Sequence, residues 1–175
     1  NTNTPLPIVT DTAPAATASS TNTALIYSGA GLDSLSVFNN NEIINGSYGM
    51  YFYGGSSTSL ENKTIVTNNT FENQYTYAIR LYYQNAPTVS GNIINGHPTN
   101  ASYYGIYLGY CDNELVVSKN KVIIPAGGYG IEIYYCDATP GKRGLIVNNF
   151  VQIGGTSTAY GLYPYYATYQ DFYYN

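Results

Sequence analysis

From about Ala24 onward the apolar residues fall in short runs with polar residues at alternate positions, and no stretch keeps them at helical spacing. Alternation of this kind predicts short, half-buried β-strands. Two patterns recur in a fixed order. The first, apolar-x-x-Asn-x-apolar, reads Phe38/Asn41/Ile43, Val66/Asn69/Phe71, Val89/Asn92/Ile94, Val117/Asn120/Val122 and Ile146/Asn149/Val151. The second, Tyr-(Gly/Ala)-apolar-x-apolar, follows each of these, beginning at Tyr48, Tyr77, Tyr104, Tyr129 and Tyr160. The Asn positions are 28, 23, 28 and 29 residues apart. A repeat of this length, with two or three strands in each copy, predicts an all-β parallel solenoid, because each coil leaves its inner apolar face open until the next coil stacks on it.

The repeat turns single residues into columns. Asn41, Asn69, Asn92, Asn120 and Asn149 form one, at a bend. Stacked at the strand spacing of about 4.8 Å, each side-chain amide can bond the coil above and below; a turn residue in left-handed conformation is the alternative. In the Tyr-Gly motif, alternation sends the residue between the two aliphatics outward. One outward column then reads Tyr51, Arg80, Tyr107, Glu132, Tyr163, and the next Tyr53, Tyr82, Gly109, Tyr134, Tyr165. The same alternation assigns Tyr48, Tyr77, Tyr104, Tyr129 and Tyr160, and Tyr83, Tyr110, Tyr135 and Tyr166, to the inward phase at the corners. An aromatic face with polar tips suits a glycan or a protein partner, although tyrosine also accumulates in strands for its β propensity alone.

Composition narrows the choices. Charged residues are 9% of the chain, with 6 Lys+Arg against 10 Asp+Glu and a net charge of −4. Six scattered cations do not make the basic face that nucleic acid requires, and no apolar run reaches the ~18 residues of a membrane span. Residues 1–23 are Thr, Asn, Ala, Ser and Pro with few large apolar groups, which predicts a flexible leader, followed by a solenoid over 24–175. Phe172-Tyr173-Tyr174-Asn175 has the form of a sixth coil's opening. A bare terminal coil exposes a strand edge, so the expectation is a fragment of a longer solenoid, or an end covered by self-association or a partner.

Candidate chemistry is sparse. Cys111 and Cys136 are 25 residues apart, as are Ile106 and Ile131, so they share a column close enough for a disulfide. Asp112 and Asp137 stack beside them, as turn residues, a weak calcium site or a carboxylate pair. Were the chain an enzyme, Asp112, Asp137 and Lys142 would be its catalytic candidates, with Arg143 the alternative base. His97 stands alone in a loop.

The Asn-x-Ile and Gly-Ile-x-Leu motifs resemble the repeat of right-handed parallel β-helix proteins, the fold of pectate lyases and many surface proteins, over about 35–175. The Tyr-Gly-Ile-Tyr-Leu coils in Thr/Asn-rich surroundings are similar to large exported repeat proteins of the Bacteroidota, cargo of type IX secretion. Asp11-Thr12-Ala13 and Asp33-Ser34-Leu35 resemble that phylum's O-glycosylation motif, marking Thr12 and Ser34. The resemblance implies five coils and part of a sixth in an extracellular or cell-surface protein that meets secretion machinery during export. The chain departs from the pectate lyases in having no cluster of calcium-binding Asp residues and no Arg/Lys pair at matched columns, so the expectation is a non-catalytic adhesin, stalk or matrix component with no resident cofactor. A polysaccharide lyase or hydrolase with coils beyond Asn175, and a self-assembling subunit, are the alternatives.

Overall fold

The structure is a computed structural model and describes residues 9–29, 31 and 33–175. It is a parallel β-solenoid of about five turns with three sheets. The first contains Val37–Asn39, Ile65–Thr67, Thr88–Ser90, Val116–Ser118, Gly144–Val147 and Gln170–Tyr173; the second contains Val9–Thr12, Asn41–Ile44, Thr70–Glu72, Ile93–Asn95, Lys121–Ile124 and Phe150–Ile153. The third, here the tyrosine sheet, contains Ala24–Gly29, Tyr48–Tyr53, Tyr77–Asn85, Tyr103–Asp112, Gly128–Tyr134 and Ala159–Tyr165. Every strand pair within these sheets is parallel and in register, so Val66, Val89, Val117 and Ile146 stack inside the first sheet. Ile43, Phe71, Ile94 and Val122 stack inside the second. Met50, Ile79, Ile106 and Ile131 stack inside the third, with Phe52, Leu81, Leu108 and Ile133 as a second inner column. These side chains are almost completely removed from water and form one continuous core.

One corner carries the asparagine column. The residue before each ladder Asn has a positive φ: Asn40, Asn68, Gly91, Lys119, Asn148 and Tyr174. This single left-handed residue bends the chain and turns the next side chain inward. Each Asn Oδ1 then accepts the backbone N–H and the Nδ2–H of the Asn one coil earlier, at 2.8–3.1 Å along Asn41, Asn69, Asn92, Asn120, Asn149 and Asn175. The second Nδ2 proton goes to the carbonyls of Phe38, Val66, Val89, Val117 and Ile146.

Within the segment expected as a leader, the structure describes residues 9–23. Val9–Thr12 pairs with Asn41–Ile44, a 3₁₀ turn spans Thr21–Thr23 under a Ser20 cap, and the Ser20 amide donates to Ser47 Oγ at 3.0 Å. Backbone pairing onto a strand edge needs no apolar side chain. Residues 1–8 of that leader lie outside the described residues.

Candidate functional site: the tyrosine face

Four columns of side chains cover the outer surface of the tyrosine sheet, two more than alternation predicts. Tyr48, Tyr77, Tyr104, Tyr129 and Tyr160 point outward rather than inward, stacking ring on ring at 4.5–5.3 Å. The cause is a kink after each of them. A Cβ on Gly105 would strike the core methyl of Val122, so Gly105 and Ile106 both face inward in succession, and Tyr104 emerges on the outer side, edge-on to Tyr107. At the other end of the strand Tyr83, Tyr110, Tyr135 and Tyr166 have positive φ. That conformation also turns them outward, against the expected inward phase, and their rings meet the outward Tyr82, Tyr134 and Tyr165 edge-on.

Between these lie the two columns read from alternation. Tyr51, Arg80, Tyr107, Glu132 and Tyr163 are in register, as are Tyr53, Tyr82, Gly109, Tyr134 and Tyr165. Because the rings stack on one another along the solenoid axis, most ring faces are covered within the columns. What the surface presents is ring edges and phenol hydroxyls. Tyr48's hydroxyl is shared with Ser19 at 3.1 Å; those of Tyr51, Tyr107, Tyr134 and Tyr163 make no hydrogen bond among the described residues. Burial raises the pKa of Tyr104 to about 12 and those of Tyr77, Tyr82 and Tyr107 further, with the Arg80 charge opposing it at each. These four phenols are therefore neutral donors and acceptors at any physiological pH.

Arg80 replaces a ring in its column. Its guanidinium carbon lies 5.1–5.7 Å from the ring centroids of Tyr51, Tyr53, Tyr77, Tyr82 and Tyr107. Cation–π attraction holds the flat group in this cage, but rings offer nothing to its in-plane N–H donors. Nε is buried without a partner, and among the described residues Arg80 makes no hydrogen bond or ion pair. Two coils along the column, beyond Tyr107, Glu132 is 6% exposed and likewise bonds no other side chain. Desolvation pushes its pKa up to about 7. Beside Tyr104 and Tyr129 opens a cleft of about 390 Å³ whose rim carries the hydroxyls of Ser102, Ser157 and Thr158.

The comparisons with known proteins fall on this fold. Residues 12–175 match the family model described as "Periplasmic copper-binding protein (NosD)". The chain belongs to the NosD family. No curated protein and no solved structure matches it significantly. The family match and the solenoid agree on a parallel β-helix; neither carries the Bacteroidota resemblance, and the family's description is of periplasmic proteins.

The remaining candidates lie away from this face, most of them within the scaffold's own hydrogen bonds. Cys111 and Cys136 are free and completely buried, so the disulfide that the shared column suggests is absent. In-register parallel strands aim both side chains the same way, and Cys136 Sγ instead accepts the Cys111 amide at 3.2 Å. The thiols donate to carbonyls, Cys136 to Leu108 at 3.4 Å and Cys111 to Gly109 at 3.5 Å. Burial raises the Cys111 pKa strongly. Gln84 holds the equivalent place one coil earlier, after the same left-handed turn at Tyr83, and bonds Glu61 at 2.9 Å; neither residue stands out in the sequence pattern. Asp112 Oδ1 accepts from the Asp137 amide at 3.0 Å, and Asp137 Oδ1 from Thr168 Oγ1 at 2.6 Å. Lys142 lies in an exposed turn and pairs with neither aspartate; the ion pair of this region is Arg143–Asp171. His97 Nδ1 accepts amides of its own loop, from Asn100 at 3.1 Å. Ser34 Oγ accepts the Asn62 amide at 2.9 Å, and Thr12 is exposed. Among the described residues no three His, Cys, Asp or Glu side chains are grouped to hold a metal ion.

Proposed function

We propose that this chain is a non-catalytic, rod-like element of the cell envelope or cell surface, an adhesin, stalk or matrix component, whose tyrosine face binds a glycan. The observation that carries the reading is the contrast in polar groups. The asparagine corner satisfies its donors and acceptors internally, while the tyrosine face presents phenol hydroxyls, a guanidinium and a carboxyl with no protein partner among the described residues. Groups of that kind in a shallow aromatic surface suit a hydroxyl-rich ligand, which offers donors and acceptors at many points and edges that pack on aromatic rims. The family's description as periplasmic supports an envelope location. Copper does not follow from the family name: its residues would have to be the dry thiol pair, already engaged with backbone amides and carbonyls, or His97, which stands apart.

The test is retention on a panel of insoluble polysaccharides, with newly released sugar ends measured in the same samples. The reading expects retention without release, reduced about tenfold or more by Tyr134→Ala, a loss of about 1.4 kcal/mol or more, with the midpoint of urea unfolding little changed. Release of sugar ends would replace it with an enzymatic reading, and absence of retention on every polysaccharide would remove it.

A further inference from the structure

The partner class can be narrowed, on the glycan reading above, by asking what completes Arg80. A guanidinium carries five N–H donors in one plane, and in most folded proteins they are taken by carboxylates, carbonyls or water. Here five rings surround the group, and the acceptors that would satisfy its edge are missing from its neighbours. Nε is buried, but the terminal nitrogens are not among the buried unpartnered atoms, so the fork opens outward. Arg80 is also the sole cation in the strands of the tyrosine sheet.

We infer that Arg80 is an oxyanion receptor and that the ligand of the tyrosine face is a glycan bearing carboxylated sugars. The planar fork matches a carboxylate through two parallel N–H···O bonds, and the rings hold the cation in a partly desolvated setting where such a bond is strong. Tyr77 links this receptor to the cleft: it lies against Arg80 and stacks on Tyr104, which lines the cleft with Ser102, Ser157 and Thr158. A sugar carboxylate on Arg80 therefore leaves the neighbouring units of the polymer within reach of those hydroxyls. The chain's net charge of −4 excludes general attraction of polyanions, so recognition rests on the one fork, and added salt weakens binding only modestly. Glu132 sets a second condition. It faces Tyr77, Tyr104, Tyr107, Tyr129 and Tyr134 and shares a column with Arg80, about 10 Å away at two strand spacings. As a carboxylate it repels an acidic sugar; protonated, it becomes a donor to one.

The experiment titrates the whole chain with tetragalacturonate, its methyl ester and neutral galactotetraose, and with a decamer of glutamate, at pH 5.5 and 8. The expected result is binding of the free acid at least tenfold tighter than its ester. Arg80→Gln should weaken the acid about tenfold to a hundredfold, the loss of a charge-assisted hydrogen-bonded pair, and Arg80→Lys should fall between. Acid and ester bound alike would overturn the inference while leaving the glycan reading intact, and this comparison needs no variant to fold. A preference for the acid that survives Arg80→Gln would overturn the receptor assignment. Tighter binding of the glutamate decamer would overturn the ligand class in favour of an acidic peptide. Binding of no sugar at all would remove the inference together with the reading on which it rests.

Discussion

The asparagine corner and the tyrosine face are built from the same repeat and treat polar groups in opposite ways. At the corner each buried amide has every donor and acceptor engaged, coil after coil, with the neighbouring coil supplying the partner. On the tyrosine face a guanidinium, a carboxyl and a series of phenols lie in partly buried positions without protein partners. A column that closes on itself fixes register and stability. A column left open is available to something else. The Gln84–Cys111–Cys136 corner lies between these extremes: it uses the same left-handed turn and inward residue as the asparagine corner, but two of its three places hold thiols, which bond more weakly than amides.

The contrast predicts a gradient of effects on unfolding. Asn120→Ala would leave the Asn92 amide N–H and Nδ2–H without their acceptor and the Val89 carbonyl without its donor. A loss of about 3–5 kcal/mol is expected, read as a shift in the urea midpoint, with glycan binding preserved wherever the variant remains folded. Cys136→Ala removes a weaker acceptor and a small buried side chain and should cost about 1–2 kcal/mol. Thiol titration of the denatured, unreduced protein should count two free cysteines. Equal losses in the two corners would show that side-chain volume, and not the amide ladder, governs both.

How far these features were legible in the sequence depends on whether they follow simple alternation. The repeat length, the parallel solenoid and the inner columns at Ile79, Leu81, Ile106 and Leu108 follow from spacing, because a stacked coil must repeat its apolar positions. The outward columns through Arg80 and Glu132 follow from the same rule. Tyr48, Tyr77 and their equivalents did not, since the Gly-Ile kink places two successive residues inward and reverses the phase before it. Tyr83, Tyr110 and Tyr135 did not either, because an aromatic residue in left-handed conformation gives no signal in its identity. Nor did spacing show that the rings stack on one another and so hide their faces, which changes the face from a stacking platform to an array of edges and hydroxyls. The Arg80 cage required five side chains from three coils, a juxtaposition that no single repeat displays.

Glu132 tests the open column through its proton. Its folded pKa is raised from 4.5 to about 7 by desolvation, so the folded protein binds a proton that the unfolded chain has released between those values. Stability from this group is therefore highest below about pH 4.5, falls as pH rises toward 7 and is level above it. With allowance for contact between the carboxyl and solvent, the fall is about 1–2 kcal/mol. Glu132→Gln should flatten that slope and leave the variant more stable than the parent at pH 8. Urea midpoints at pH 4.5, 6 and 8 measure both quantities, and a slope that persists in the variant would assign the titration to another group.

The smallest expected effect concerns an unsatisfied group inside the core, where no ligand can complete it. Tyr103 is fully buried beside Gly96, and its hydroxyl has no hydrogen-bond partner; burial accordingly raises its pKa. A phenol oxygen in that position loses its bonds to water on folding and gains none, whereas its ring packs as any aromatic ring would. Tyr103→Phe keeps the ring and deletes the orphaned hydroxyl, so it should stabilise the protein by about 1 kcal/mol without changing glycan binding. Tyr107→Phe, four residues further along the strand and on the open face, should instead leave stability almost unchanged and weaken binding. If Tyr103→Phe destabilises, its hydroxyl is satisfied in solution by a buried water, and this position of the core is bonded as the asparagine corner is.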